Sequence, residues 1–215
     1  DNASSFSTVS PYYAGTSRGV TFGNNTFVGV SDGGKTGRSI DNASSWNNST
    51  SGISTTLYGV TFGNNTFVAV GQSGKILRST DNASSWNNST SGISTTLYGV
   101  TFGNNTFVAV GQSGKILRST DNASSWDNST SGISTALYGA TFGNNTFVAV
   151  GPYGKIVRST DNGSSWDNST VPPPYPSLYG VSFGNNNFVG VGDSGKIVRS
   201  TDNGTTWSNS TSGIT

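Results

Sequence analysis

A segment of about forty residues recurs five times along the chain and constrains the fold more than any other feature. The stretch 57–86 returns almost letter for letter from Leu97, and with small changes from Leu137 and Leu178. Ser17 opens the most divergent copy. Repeats of this length are supersecondary units that bury their apolar surfaces by stacking on neighbouring copies. The sequence therefore predicts a repeat architecture in which each copy has the same fold.

Each copy contains four short segments with strand character, and the second copy shows them clearly. Residues 57–63 alternate between two faces, and Asn64-Asn65 follows as a pair that tolerates the positive φ of a tight hairpin turn. Residues 66–70 are apolar on both faces, which is typical of a strand buried on both sides. Residues 75–80 form a third predicted strand, and residues 85–89, which carry the repeated tryptophan, form a fourth.

Four antiparallel strands joined by short turns and repeated in this way describe a blade of a β-propeller. A β-helix is the main alternative, but its coils are usually shorter and do not need four turn signals each. The prediction is an all-β, five-bladed β-propeller of four-stranded blades with one surplus terminal strand. The predicted segments are an N-terminal arm at 1–13 and blades at about 14–53, 54–93, 94–133, 134–174 and 175–215.

The third turn of each copy carries a family motif. The segments Ser159–Trp166 and Ser200–Trp207 resemble the Asp-box, Ser-x-Asp-x-Gly-x-Thr-Trp, of sialidases and related propellers. Three further copies match with Ala in place of Gly, which puts their turn geometry in question because Ala resists positive φ. The resemblance implies a structural hairpin in which the Asp accepts backbone N–H groups and the Trp packs between blades. The residues it assigns are Asp41, Trp46, Asp81, Trp86, Asp121, Trp126, Asp161, Trp166, Asp202 and Trp207.

The composition narrows the classes of function. The chain has no Cys, His, Met or Glu, its charged fraction is 10% and its net charge is +1. The common transition-metal ligands are therefore missing, and so is the basic surface of a nucleic-acid binder. No apolar run approaches the roughly 20 residues that a membrane-spanning helix needs. We expect no cofactor, no metal, no nucleic-acid partner and no membrane span.

The arginines and the missing glutamates argue against catalysis. A sialidase needs an arginine cluster and a Tyr–Glu pair, and this chain has no Glu. Its arginines occupy one equivalent position in each blade, which spreads them around the ring: Arg38, Arg78, Arg118, Arg158 and Arg199. A uniform repeat also leaves little room for a unique constellation of side chains. The sequence therefore predicts that the chain is not an enzyme.

The fourth strand occurs once more often than the other three. Its six copies begin at Ser5, Ser45, Ser85, Ser125, Ser165 and Thr206. The segment 1–6 is a degenerate Asp-box turn, so either it or the C-terminal strand is surplus in a closed ring. A surplus strand beside an open sheet edge is the physical basis of strand exchange between chains. The alternative is that residues 1–13 lie over the surface.

Departures from the repeat mark a candidate contact surface. Residues 171–177 insert an extended, polyproline-like stretch before the fifth blade, and residues 11–13 precede the first. In a closed ring both would flank blade five, where Pro and Tyr suit either an interface or a plain linker. The candidate interface residues are Phe6, Pro11, Tyr12, Tyr13, Pro172, Pro173, Pro174, Tyr175 and Pro176.

Seventeen Asn-x-Ser/Thr sequons fall at predicted turns and on the outermost strand, where a glycosylating enzyme has access. Chance and copying of the repeat also produce sequons in a chain so rich in Asn, Ser and Thr. The candidates are Asn2, Asn24, Asn42, Asn47, Asn48, Asn64, Asn82, Asn87, Asn88, Asn104, Asn122, Asn128, Asn144, Asn162, Asn168, Asn203 and Asn209.

Propeller geometry places the first and third turns on one face and the second turns on the other. The second-turn face carries a ring of lysines beside variable residues: Lys35, Lys75, Lys115, Lys155 and Lys196. Five similar shallow pockets there would suit repeated sugar binding, although clustered aromatic residues are missing from them.

These observations together favour an extracellular or cell-surface structural or adhesive propeller that carries covalent N-glycans. We expect it to self-associate head to tail into a fibre through its spare terminal strand. The alternative is a multivalent, lectin-like propeller with a carbohydrate ligand.

Overall fold

A computed structural model describes residues 16–49 and 51–210, and these fold into five four-stranded antiparallel sheets. In each sheet the strands lie side by side in chain order. This confirms the prediction of an all-β, five-bladed propeller of four-stranded blades. The predicted arm at 1–13, with Asn2, Phe6 and residues 11–13, lies outside the described residues. The surplus terminal strand therefore stays a prediction.

The strand bounds repeat from blade to blade. Blade 1 consists of β1 (Ser17–Gly23), β2 (Thr26–Ser31), β3 (Thr36–Ser39) and β4 (Asn47–Ser49). Blade 2 consists of β5 (Leu57–Gly63), β6 (Thr66–Gly71), β7 (Ile76–Ser79) and β8 (Asn87–Ser89). Blade 3 consists of β9 (Leu97–Gly103), β10 (Thr106–Gly111), β11 (Lys115–Ser119) and β12 (Asp127–Thr130). Blade 4 consists of β13 (Gly139–Gly143), β14 (Thr146–Val150), β15 (Lys155–Ser159) and β16 (Asp167–Thr170). Blade 5 consists of β17 (Leu178–Gly184), β18 (Asn187–Gly192), β19 (Ile197–Ser200) and β20 (Ser208–Ser210).

Two kinds of turn hold the first three strands of a blade in register. At the first hairpin, Asn64 and Asn65 have φ values of 46° and 54°, the double left-handed conformation of a type I′ turn. The pairing of Phe62 with Phe67 follows directly from this two-residue connection. The second turn of four blades is a three-residue 3-10 helix, as in Gln72–Gly74. No helix in the described part of the chain is long and apolar enough to cross a membrane.

The fourth strand is shorter than the sequence predicts. In blade 2 it covers only Asn87–Ser89, and Trp86 lies just before it instead of within it. The reason is the Asp81 carboxylate, which accepts the Ser85 backbone N–H at 3.0 Å and keeps the preceding residues in the turn. The tryptophan therefore follows the turn directly, and its side chain packs against the preceding blade.

The apolar core lies between blades. Val28 and Val30 of blade 1 cluster with Phe67, Ala69 and Trp86 of blade 2. Equivalent clusters join blade 2 to 3, 3 to 4 and 4 to 5. The first strands of successive blades pack on one another, so they form the inner edge of the propeller. Each blade thus presents one apolar face to the blade before it and another to the blade after it.

Within residues 16–49 and 51–210, no other blade covers one face of blade 1 and one face of blade 5. Val20 and Phe22 of β1 are 64% and 52% exposed, and Val189 and Val191 of β18 are 36% and 47% exposed. Among residues 16–49 and 51–210 no apolar cluster joins blade 5 to blade 1. Trp46 is only half-buried, whereas the tryptophans of the other four blades are buried. The described blades therefore have two free end faces.

Replacing Trp126 by Ala should lower the free energy of unfolding by about 3–5 kcal/mol, the usual cost of emptying a large buried aromatic site. Trp46→Ala is the matched control, since its side chain has no preceding blade to pack against, and we expect it to cost clearly less. Urea denaturation followed by circular dichroism measures both. Equal losses for the two variants would contradict the assignment of Trp126 to a blade junction.

Candidate functional site

The third turns of the blades form a repeated network of hydrogen bonds. In blade 4, Asp161 Oδ1 accepts the Ser165 backbone N–H at 2.9 Å, and Oδ2 accepts the Ser165 hydroxyl at 2.6 Å. The Ser159 hydroxyl donates to Asp161 Oδ1 at 2.8 Å and accepts the Gly163 N–H at 2.8 Å. Because the carboxylate is saturated by groups of its own turn, its role in this geometry is to hold the turn.

These hydrogen bonds also explain the acidity of the turn carboxylates. The Ser165 hydroxyl and backbone N–H lower the pKa of Asp161 to about 2. The Thr206 hydroxyl and backbone N–H do the same for Asp202, whose pKa is also about 2. Hydrogen bonds to the ionised form favour it, so each turn is stabilised while its carboxylate stays charged.

The alanine copies adopt the same turn as the glycine copies. Ala83 and Ala123 have φ values of 58° and 62°, in the left-handed region that costs an L-residue roughly 1–2 kcal/mol. The indole N–H of Trp166 donates to the Gly163 carbonyl at 3.2 Å. In contrast, the indole N–H of Trp126 has no hydrogen-bond partner among the described residues. Alanine thus preserves the turn but loses one of its polar contacts.

Four of the five repeated arginines tie their blade to the third turn of the next blade. Arg78 Nε donates to the Asn122 carbonyl and Arg118 Nε to the Asn162 carbonyl, both at 2.7 Å. The arginines are therefore spread over the blade junctions and do not converge on one substrate position. Only Arg199 differs, since it donates to Asn187 within its own blade.

A row of aromatic side chains follows the inner edge of the propeller and was missed by the sequence reasoning. The rings of Tyr58, Tyr98, Tyr138 and Tyr179 lie 5.5, 5.6 and 5.5 Å apart in succession. Arg18 caps the row with its guanidinium 5.8 Å from the Tyr58 ring. Burial and the neighbouring tyrosines raise the pKa of Tyr98. The sequence does carry a signal for this row, because a tyrosine follows the leucine that opens the first predicted strand in four of the five repeats.

The face formed by the second turns and the links between blades, here called the link face, carries polar clefts. The cleft of blade 2 has a volume of about 420 Å³ and is lined by Lys75, Asn88 and several serine and threonine hydroxyls. The cleft of blade 3 has about 370 Å³ and the equivalent lining, with Lys115 and Asn128. Two of the predicted lysines, Lys75 and Lys115, therefore line clefts that offer hydroxyl, amide and ammonium groups. Within residues 16–49 and 51–210, no group of three acidic residues is placed to hold a metal ion.

The sequon asparagines fall into three structural groups. Those of the first hairpins and of the outer strands are exposed, as are Asn64 and Asn88 in blade 2. Those of the third turns in blades 2 to 5 are half-buried at a junction. Asn122 Nδ2, for example, donates to Thr66 Oγ1 of the preceding blade at 2.8 Å. Asn42, which has no preceding blade, is exposed.

The proline-rich insertion lies between blades 4 and 5. Pro172, Pro173, Pro174 and Tyr175 are exposed, while Pro176 is buried. The Pro176 carbonyl accepts the Gly154 N–H at 2.7 Å, so the segment is fastened to the second turn of blade 4. The interface role of this segment stays a prediction.

Structural comparison places the fold among known propellers. A catalytically inactive variant of virginiamycin B lyase from Staphylococcus aureus, with quinupristin, has a TM-score of 0.78 and 20% identity, over 90% of this chain and 69% of that one. YCF48 bound to a D1 peptide has a TM-score of 0.70 and 18% identity, over 94% and 69%. YCF48 from Cyanidioschyzon merolae has a TM-score of 0.66 and 14% identity, over 86% and 67%. No protein-family model matches this sequence, and no curated protein sequence matches it either.

The prediction that the chain is not an enzyme is wrong in the light of this comparison. It relied on the uniform repeat and the missing glutamate, yet a lyase is among the structural neighbours. Neither feature therefore excludes catalysis on this architecture. The sequence identity between this chain and the lyase is only 20%, so the similarity shows a shared fold and nothing about a shared activity.

Acid should destabilise the propeller between about pH 4 and pH 2. The turn carboxylates have a pKa of about 2 in the folded protein and of about 3.9 in the unfolded chain. Their contribution to the free energy of unfolding is therefore complete above pH 4 and is lost as the pH falls through 2. Melting temperature should be insensitive to these groups from pH 5 upward. Asp161→Asn should reduce the acid sensitivity, whereas Asp167→Asn, outside the turn, should not. An identical pH profile for the wild type and Asp161→Asn would contradict this role.

Proposed function

We propose that the protein is an extracellular or cell-surface structural or adhesive propeller that carries N-glycans and associates head to tail. The observation that carries the proposal is the pair of free end faces on blades 1 and 5. Each exposes apolar side chains that are covered at the internal junctions, such as Phe22 and Val191. We also assign the five third turns to the Asp-box hairpins of sialidase-like propellers, on the hydrogen bonds of Asp161.

The distribution of sequons supports the glycoprotein part of the proposal. The outer strands present exposed asparagines on the rim, including Asn88, Asn128 and Asn168. Sugars on the rim would oppose lateral clumping and leave the end faces free. Asn122, Asn162 and Asn203 differ, because their Nδ2 atoms donate across a junction at 2.8, 2.6 and 2.5 Å. A glycan is attached through this same nitrogen, so occupancy there would open the junction.

Glycopeptide mass spectrometry on protein from its native source should therefore find sugar on the outer strands and at Asn64 and Asn104 of the first hairpins. The other two first-hairpin sequons resemble the third turns, because Asn24 Nδ2 donates across a junction to Asn82 at 2.7 Å and Asn144 Nδ2 to Asn203 at 3.4 Å. Occupancy at Asn122, Asn162 and Asn203 should be at least several-fold lower than at Asn128 and Asn168. The segment 185–187 is an internal control, because Asn187 stands where the other blades have Thr and no sequon exists. Bare peptides throughout would overturn the glycoprotein proposal.

Head-to-tail association through the terminal strands is the mechanism we propose first. A strand at residues 4–10, or its counterpart at 205–212, would pair with a neighbouring molecule, so that each subunit gives one strand and receives one. Such a contact is heterologous, and it extends into a chain unless the rotation between subunits closes it.

Light scattering over a dilution series should show the molar mass of the purified protein rising with concentration. Deleting residues 1–13 should yield single propellers with an unchanged β-sheet spectrum, because β20 already completes blade 5. A full-length protein that stays monomeric at high concentration would refute self-association.

Carbohydrate binding is the second candidate, and the repeated clefts of the link face favour it. Their hydroxyl and amide groups are suited to hydrogen-bonding a sugar, and Lys75 and Lys115 to an anionic one. Binding to a glycan array by a protein that remains monomeric would favour this function over the structural one.

A further inference from the structure

Every internal blade junction is built around an aromatic ring seated on a glycine. The Phe62 ring of blade 2 lies against Gly23 of blade 1, so close that a methyl group on Gly23 would overlap the ring. The remaining junctions repeat this arrangement with Phe102 on Gly63, Phe142 on Gly103 and Phe183 on Gly143. A glycine is needed at each of these positions because the ring occupies the space of a Cβ atom.

One ring and one glycine of this series are left without a partner in the described chain. Phe22 of blade 1 is 52% exposed, whereas the equivalent Phe62 and Phe102 are partly buried at their junctions. Gly184 of blade 5 has no heavy atom within 4 Å of a Cβ position, and its backbone is outside the left-handed region. The two free end faces therefore carry the two halves of one ring-on-glycine contact.

The surrounding apolar residues are also matched. At internal junctions, two valines of one blade pack on the phenylalanine and tryptophan of the next, as Val28 and Val30 pack on Phe67 and Trp86. Blade 5 offers the equivalent valines, Val189 and Val191, and blade 1 offers the equivalent aromatic rings, Phe27 and Trp46. Val189 and Val191 are exposed, and Phe27 and Trp46 are half-buried.

The polar contacts of the junction are available at both ends as well. Ser169 Oγ donates to the Thr205 carbonyl of the next blade, and Ser210 occupies the position of Ser169 in blade 5. Arg199 is exposed and carries the guanidinium that elsewhere reaches the next Asp-box turn. On blade 1 the corresponding turn, with Asn42, is exposed.

The inner edges of the two end faces match as well. The first strand of each blade packs against the second turn of the preceding blade, as β5 does against Asp32–Gly34. Docked in this manner, Arg18 of one copy would lie beside Asp193 and the Tyr179 ring of another. Arg18 lies 5.8 Å from the Tyr58 ring on its other side, and its guanidinium already pairs with Asp32 of its own blade at 2.9 Å. A cation between two tyrosines and near a carboxylate is a favourable environment.

We propose that blade 1 of one copy docks on blade 5 of a second copy, with Phe22 seated on Gly184. The proposal rests on the proposed self-association and names its interface. A second copy is the occupant because this chain itself carries both halves of the contact, matched residue for residue. Docking of the blade faces would act together with the pairing of the terminal strands at the same head-to-tail contact, and the contact would need both.

The length of the structurally similar propellers indicates how docked copies of this chain would be arranged. Five blades here span about 69% of the length of the compared propellers, which leaves room for about two more in the same ring. A five-bladed partner must therefore leave the plane of the first copy, and successive copies wind into a helix. Blade 1 has Gly29 and Gly37 where blade 2 has Ala69 and Leu77, so the outer part of its docking face carries smaller side chains than an internal junction does.

The test uses two variants that each disable one face. Phe22→Asp removes the ring and leaves Gly184 intact, while Gly184→Ala places a methyl group where the ring would sit and leaves Phe22 intact. Gly184 is open in the single chain, and Phe22 is half-exposed beside the Phe27 ring, so both variants should keep the wild-type circular dichroism spectrum. Gly184→Trp is a second, more obstructive variant of the glycine. Ile40→Asp is the matched control, since Ile40 is a similarly exposed apolar side chain, at 63% exposure. Its equivalent in blade 2, Thr80, stays exposed although other blades cover both faces of blade 2, so this position lies outside the blade junction.

Analytical ultracentrifugation should show Phe22→Asp and Gly184→Ala each assembling at a concentration at least tenfold above that of the wild type and of Ile40→Asp. An equimolar mixture of the two variants should give discrete dimers, because one intact ring and one intact glycine remain between them. Wild-type assembly that persists in both variants and in Gly184→Trp would overturn the docking while leaving self-association in place. A wild type that is monomeric at every concentration would overturn both. Dimers in the mixture but in neither variant alone would support the docking specifically.

Discussion

The packing of one blade face on the next is the interaction on which the rest of this structure depends. A single blade has apolar residues on both sides of its central strands, such as Phe67 and Val68, and cannot bury them alone. Each junction buries a ring, a tryptophan and several aliphatic side chains at roughly 25 cal/mol per Å² of apolar surface removed from water. Stability therefore accumulates junction by junction, as in other repeat proteins.

The polar groups serve the same junctions. The aspartate of each third turn fixes a turn whose carbonyl groups then accept hydrogen bonds from the arginine and the serine of the preceding blade. The turn asparagine returns a hydrogen bond to a threonine of that blade, as Asn162 does to Thr106. Because these bonds repeat with little change, a substitution in the turn affects the contact between blades as well as its own hairpin.

Much of the fold could be predicted from the sequence because the repeat makes each turn signal visible several times. The Asn64-Asn65 hairpin and the sheet order are confirmed, since a two-residue turn fixes register over a short distance. The start of the fourth strand was predicted two residues early, because the reach of the Asp81 carboxylate is not evident from strand propensity.

The candidate site was harder to predict. The tyrosine row depends on how first strands converge at the inner edge, and the partner of Gly184 depends on which blade follows it. Neither is a local property of the sequence. The exclusion of catalysis was wrong because a fold built from similar blades can still host an enzyme, as the lyase neighbour demonstrates.

Cryo-electron microscopy of the concentrated native protein addresses the contact between copies most directly. We expect filaments in which five-bladed subunits wind about a common axis, with Phe22 of one subunit against Gly184 of its neighbour and sugar density on the rim. Isolated closed rings, in which blade 1 meets blade 5 of the same chain, would contradict assembly through the end faces.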